Sequence, residues 1–262
     1  MKIEEQTMAI DGTPFTARVA IAGGGAPLIY LHGPTGHAWT PLHERLAERF
    51  TVHAPLHPGW ESLDDLDHLD SVADLVLYYV DILDRYGIER ASLVGHSVGG
   101  MVAAEIAAAR PDRVERLALV APWGLWRDDE PTADFWGQPP ERLATALWSD
   151  PSGEAALANA PVREPEAMLS AYLANSAAAH FTWPIPDNNL RRRLHRVVAP
   201  TLLVWGQDDG IVPLSYADDF VELLPDASSI VLEGGAHNVH LERADVVADA
   251  ILDHLASAAV GA

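Results

Sequence analysis

Short apolar runs alternate with helix-patterned stretches along most of this chain, and that rhythm restricts what it can fold into. Leu28–Leu31, Thr51–Ala54, Ala91–Val94, Val114–Val120, Thr201–Trp205 and Ser228–Leu232 read as strands. Pro41–Arg49, Ser71–Tyr86, Gly99–Ala109, Ser215–Leu224 and Arg243–Ala258 read as the helices between and after them. The second of these is the clearest. Val72, Leu75, Val76, Tyr79, Val80 and Leu83 recur at helical spacing, Ser71 is placed to cap the start, and Gly87 to stop it. A run such as Leu28-Ile29-Tyr30-Leu31 suits a strand buried on both faces. The expectation is an α/β fold, a parallel sheet with helices on both sides. A hairpin precedes it, Ile3–Ile10 and Phe15–Ala22 around Asp11-Gly12.

The rhythm stops after Ala121. Between Pro122 and Asn189 no segment reads as a strand, and helix-like pieces appear at Pro140–Trp148 and Glu164–Ser176. Five of the eight tryptophans fall there: Trp123, Trp126, Trp136, Trp148 and Trp183. A flexible linker would be poorer in large apolar residues, so the stretch reads as a helical insertion. The α/β pattern resumes with a helix expected over Leu190–Val198, which carries the basic run Arg191-Arg192-Arg193.

Charge narrows the function. The 262 residues hold 38 acidic and 17 basic side chains, a formal charge of −21, and Lys2 is the single lysine. Such a surface repels phosphate backbones and anionic membranes, so neither nucleic acid nor membrane is an expected partner. With no cysteine there is no disulfide, thiolate metal site or cysteine nucleophile. Met1–Asp11 lacks a secretory apolar core and no apolar run approaches membrane-spanning length, so a soluble cytoplasmic protein is expected, as monomer or homodimer. The twelve histidines show no HExxH spacing, so no metal and no cofactor is expected.

Gly95-His96-Ser97-Val98-Gly99 lies between a predicted strand and a predicted helix. This is G-x-S-x-G in the setting that gives the motif chemical meaning. A sharp strand-to-helix turn strains the serine backbone, small neighbours relieve the crowding, and the hydroxyl stands at a helix N-terminus that favours negative charge. Two further loops follow strands and carry candidate partners. Trp205-Gly206-Gln207-Asp208-Asp209-Gly210-Ile211-Val212-Pro213 offers two carboxylates, and Gly234-Gly235-Ala236-His237-Asn238-Val239-His240 offers two imidazoles. A serine hydroxyl needs such a base, and the base needs an acid to fix its tautomer.

With these segments in the order nucleophile, acid, base, and His32-Gly33 after an early strand, the chain resembles the α/β-hydrolase superfamily, serine-nucleophile branch, over nearly its whole length. The resemblance implies a mostly parallel eight-stranded sheet formed by residues 1–121 and 190–262, with a helical cap over 122–189. It implies Ser97 as nucleophile. Matching Gly206 and Pro213 to the family's G-x-x-D-x-x-V-P pattern favours Asp209 as acid, with Asp208 the neighbour. A glutamate five positions on, Glu242, favours His237 as base over His240.

The same resemblance implies an oxyanion hole with one donor at the Val98 N–H. The second comes from His32-Gly33-Pro34-Thr35-Gly36, where Pro34 has no N–H to give. Gly33, Thr35 and Gly36 remain as donors, and Thr35 is the expected one. His32, Trp60, Trp123, Trp126 and Trp183 are the expected substrate contacts. The expected activity is cofactor-independent hydrolysis of a small, partly apolar carboxylic ester through an acyl-enzyme. The same three residues would also serve C–C bond hydrolysis or lactone opening, and a non-catalytic binding protein of the same fold is a further alternative.

Overall fold

The computed structural model describes residues 1–36, 38–160 and 163–256. The last two residues of the helix expected over Arg243–Ala258, and the tail after it, lie outside the described residues. Eight strands form one sheet: β1 (Glu4–Ala9), β2 (Thr16–Gly23), β3 (Ala26–Leu31), β4 (Phe50–Pro55), β5 (Ala91–His96), β6 (Val114–Val120), β7 (Thr201–Gly206) and β8 (Ala227–Leu232). Their spatial order is β1-β2-β4-β3-β5-β6-β7-β8. β1 and β2 pair antiparallel, as do β2 and β4. The other pairs are parallel. The expected hairpin is therefore the antiparallel edge of an otherwise parallel sheet.

Side chains alternate across the central strands, so each strand feeds two cores. Ile29, Leu31, Leu93, Leu117, Leu119, Leu203 and Trp205 face one layer, which α2 (Val72–Arg85), α3 (Val98–Ala109) and α7 (Ser215–Leu223) complete. Leu28, Tyr30, Val94, Ala118, Val120, Leu202 and Val204 face the other, covered by α1 (Pro41–Leu46), the short α8 (Val239–Glu242) and α9 (Ala244–Ala256). Burial on both faces accounts for the apolar runs in the sequence. Ser71 caps α2 as expected, its N–H and hydroxyl both donating to the Asp74 carboxylate.

Between β6 and β7 the chain leaves the sheet for a helical excursion containing α4 (Pro140–Leu147), α5 (Glu154–Ala158) and α6 (Pro165–Thr182), with no strand among its described residues. The helix expected over Leu190–Val198 is instead two 3-10 turns, Leu190–Arg192 and Leu194–Arg196. Arg193 breaks it. Its guanidinium makes two hydrogen bonds to the buried Glu105 carboxylate of α3 and a third to Asn188 O, and its φ of −115° is not helical. No described helix is long and apolar enough to cross a membrane.

Candidate active site

The sequence after β5 turns so sharply that Ser97 adopts φ 55°, ψ −116°. This is a strained setting for a residue with a side chain. Gly95 and Gly99 make it possible. A methyl group on Gly95 would lie 2.4 Å from Gly99 O, and one on Gly99 would lie 2.2 Å from Leu31 O. The turn is fastened to the neighbouring strand end: Ser97 N–H donates to Val120 O, and Trp123 N–H donates to Ser97 O. Val98 opens α3, so its N–H is one of the helix-start amides without an intrahelical carbonyl.

Three sheet connections bring the polar groups together. Ser97 Oγ, after β5, lies 2.9 Å from His237 Nε2, in the loop after β8. His237 Nδ1 lies 3.0 and 3.1 Å from the two Asp209 oxygens, in the loop after β7. Asp209 Oδ1 also accepts the Ile211 and Val212 N–H groups, both at 2.9 Å. The carboxylate is thus anchored by its own loop before it meets the imidazole. Asp208, the alternative acid, is exposed. Ser97 and His237 are 0% and 1% exposed.

His240, the alternative base, is buried elsewhere. Its ring lies against His96, 3.9 Å between centroids, and His96 Nε2–H donates to His237 O at 3.1 Å. Burial first, then the neighbouring His240 and His237, hold His96 well below the ordinary histidine value. Burial, aided by His237 and His43, holds His240 at about 3. Both rings are therefore neutral in the native protein at pH 7, whereas in the unfolded chain they titrate near 6.5. Their share of stability is intact above pH 6.5 and is lost as the pH falls below it toward the folded value. We expect Tm to drop between pH 7 and 5, each ring costing at most about 1.4 kcal/mol per pH unit below 6.5. His240→Phe should flatten that slope in calorimetry; an unchanged slope would contradict the assignment.

The excursion grips both loops. The last turn of α4 has carbonyls without intrahelical partners. Ala146 O accepts the Gly210 N–H of the acid loop, and Leu147 O accepts the Asn238 N–H of the base loop. Glu242 completes the link: one oxygen accepts Ala236 N–H, the other accepts the N–H and hydroxyl of Ser149, each at 2.7 Å. A glutamine has only one acceptor oxygen, so Glu242→Gln must leave one side unmatched. We expect it to lose about 1–2 kcal/mol, seen as a Tm several degrees lower.

The expected substrate contacts separate into three groups. Trp123 is buried and hydrogen-bonded through its backbone to the elbow, with its ring edge-on to Phe135 and Trp136. His32 and Trp60 are not placed to offer polar groups to a substrate. His32 Nδ1–H donates to Gly33 O, its Nε2 accepts His57 N–H, and Trp60 Nε1–H donates to Pro34 O. Each ring donates to a carbonyl of the loop. Trp126 and Trp183 are less buried. Trp126 is only half-buried and spends its N–H on Asp128, while Trp183 is 60% exposed at the end of α6. The arginine run likewise divides, with Arg191 paired to Asp219 and Arg193 to Glu105. Sequence reasoning missed Tyr79, whose hydroxyl donates to His57 Nδ1 at 2.5 Å; its position in α2 reads only as core. Among the described residues no group of three or more His, Asp or Glu is arranged to hold a metal.

A mostly parallel eight-stranded sheet carrying a serine elbow after β5, a carboxylate loop after β7 and a histidine loop after β8 is the frame of a hydrolase. Residues 28–250 match the Alpha/beta hydrolase family, and the chain belongs to it. It is similar to the 2-hydroxy-6-oxo-6-phenylhexa-2,4-dienoate hydrolase of Burkholderia cepacia, 28% identical over 267 aligned positions covering 90% of each chain. It is 31% identical to the dihydrolipoyllysine-residue acetyltransferase component of the acetoin cleaving system of Pseudomonas putida, across 88% of this chain and 64% of that one. In fold it resembles the 2-hydroxy-6-oxo-6-phenylhexa-2,4-dienoate hydrolase of Rhodococcus sp. strain RHA1, with TM-score 0.76, 23% identity, and 98% and 99% of the two chains covered.

Proposed function

We propose that the protein is a serine hydrolase that cleaves a small, partly apolar carboxylic ester, with Ser97 as nucleophile, His237 as base and Asp209 as the acid that orients it. The unbroken hydrogen-bonded chain from Ser97 Oγ through His237 to Asp209 carries this reading. Ser97 Oγ attacks the ester carbonyl carbon while His237 Nε2 takes the hydroxyl proton. The oxyanion is held by the N–H groups of Val98 and Thr35. The C–O bond breaks, and His237 gives its proton to the departing alcohol. Water, deprotonated by the same imidazole, then attacks the acyl-enzyme, and the carboxylic acid leaves as Ser97 recovers its proton.

Trp123, with Phe135 and Trp136 beside it, supplies the apolar wall for the acyl group. Residues 122–189 act as the cap over a core of 1–121 and 190–262. The carbonyls that α4 lends to the acid and base loops support this division.

A second reading, C–C bond hydrolysis of a dienoate-type acid by the same residues, is favoured by the Burkholderia cepacia relative. A fluorophosphonate probe and a series of p-nitrophenyl esters of rising acyl length test both. The ester reading expects Ser97 to be labelled and one acyl length to be preferred. Labelling without ester turnover would move the assignment to C–C cleavage, and no labelling of folded protein would overturn both.

A further inference from the structure

In a trans peptide the C=O and the following N–H point to opposite sides, so each carbonyl a loop commits also fixes where the next N–H points. The segment from His32 to Gly36 commits three carbonyls. His32 O accepts His57 Nε2–H at 2.9 Å. Gly33 O accepts His32 Nδ1–H at 2.7 Å and Gly36 N–H at 3.4 Å. Pro34 O accepts Trp60 Nε1–H at 3.0 Å. Gly36 N–H is turned to Gly33 O, and the peptide after Gly33 has no N–H because Pro34 follows, which leaves the N–H groups of Gly33 and Thr35. The Pro34–Thr35 peptide carries the next donor, and Trp60 is the side chain that sets its orientation.

The loop lies against the elbow, since a methyl group on Gly33 would be 3.6 Å from Ser97 Cβ. Trp60 is held rigidly: it is 1% exposed, its ring packs at 5.5 Å from His32 and 4.7 Å from His57, and His57 is pinned by the Tyr79 hydroxyl. Burial keeps the Tyr79 phenol protonated and so a donor.

We propose that Trp60 is a positioning residue of the oxyanion hole: by holding Pro34 C=O it turns Thr35 N–H toward the oxygen that becomes negative when Ser97 attacks. This rests on the serine-hydrolase reading above. It explains how a loop with proline after His-Gly can still supply a second donor. The indole acts on the transition state through the loop without touching the substrate.

Two replacements remove the N–H while keeping an aromatic ring: Trp60→Phe, and 3-benzothienylalanine at position 60, which puts sulfur in place of the N–H at nearly unchanged shape. Each should lower kcat for p-nitrophenyl butyrate by about tenfold to a hundredfold with KM within about twofold. Affinity for a boronic acid that forms a tetrahedral Ser97 adduct should fall by a similar factor. Thr35→Pro deletes the donor itself, and adding Trp60→Phe to it should cost no more than about a further twofold.

If the benzothienyl protein folds with wild-type Tm and keeps wild-type kcat, the proposal fails. It also fails if the loss lies wholly in KM, or if it persists in full on the Thr35→Pro background. Ser97→Ala run alongside separates the two claims. An inactive Ser97→Ala with an unaffected Trp60 variant sinks only the positioning role, whereas an active Ser97→Ala sinks the serine-hydrolase reading.

Discussion

Ser97→Ala should lower kcat/KM for p-nitrophenyl esters by about 10⁴-fold or more while leaving the fold intact. Alanine meets the same backbone strain at φ 55° as serine does, and the bonds that fasten the elbow, to Val120 O and from Trp123 N–H, are backbone bonds that the substitution keeps. The hydroxyl's bond is to His237 Nε2, so its loss leaves that buried nitrogen short of one partner, at about 1 kcal/mol. Calorimetry should accordingly show a Tm within a few degrees of wild type. A slow rate above that of buffer should survive, because the proposed oxyanion donors, the Val98 and Thr35 N–H groups, are left in place. If more than about 1% of wild-type turnover remained, another group would have to be the nucleophile.

Asp209→Asn should cost about 10⁴ in kcat for a different reason. Oδ1 is anchored by the Ile211 and Val212 N–H groups, so an asparagine would keep its oxygen there. Its NH₂ would then occupy the place of Oδ2, 3.0 Å from His237 Nδ1, and face that nitrogen as a donor. The imidazole would respond by accepting at Nδ1 and carrying its proton on Nε2. In that tautomer it cannot take the Ser97 proton. Fluorophosphonate labelling of Ser97 should slow in parallel with turnover. Asp208→Asn is the control: the exposed neighbour should leave kcat within about twofold. Comparable losses at the two positions would undo the assignment of Asp209.

The sheet was legible because strands buried on both faces announce themselves as short apolar runs, and because Gly95 and Gly99 occupy positions where a side chain would strike backbone. The three loops were legible because each follows a predicted strand. Other features depend on contacts between residues distant in sequence. The helix expected over Leu190–Val198 fails on the ion pair of Arg193 with Glu105, 88 positions away. Trp60 reads as a substrate contact, and nothing local in the sequence shows that its N–H meets Pro34 O, 26 positions back. Tryptophan content alone could not tell the buried Trp123 from the exposed Trp183, since side-chain burial is decided by packing and not by local pattern. Glu242 was visible by its spacing from His237, but its partner Ser149 was not.

Ser97 has no accessible surface in this arrangement, and His237 has almost none. A hydroxyl that a water molecule cannot touch is one that a reactant cannot touch either. On the reading proposed above, an ester carbonyl reaches the Ser97 hydroxyl only when the groups that cover it move aside.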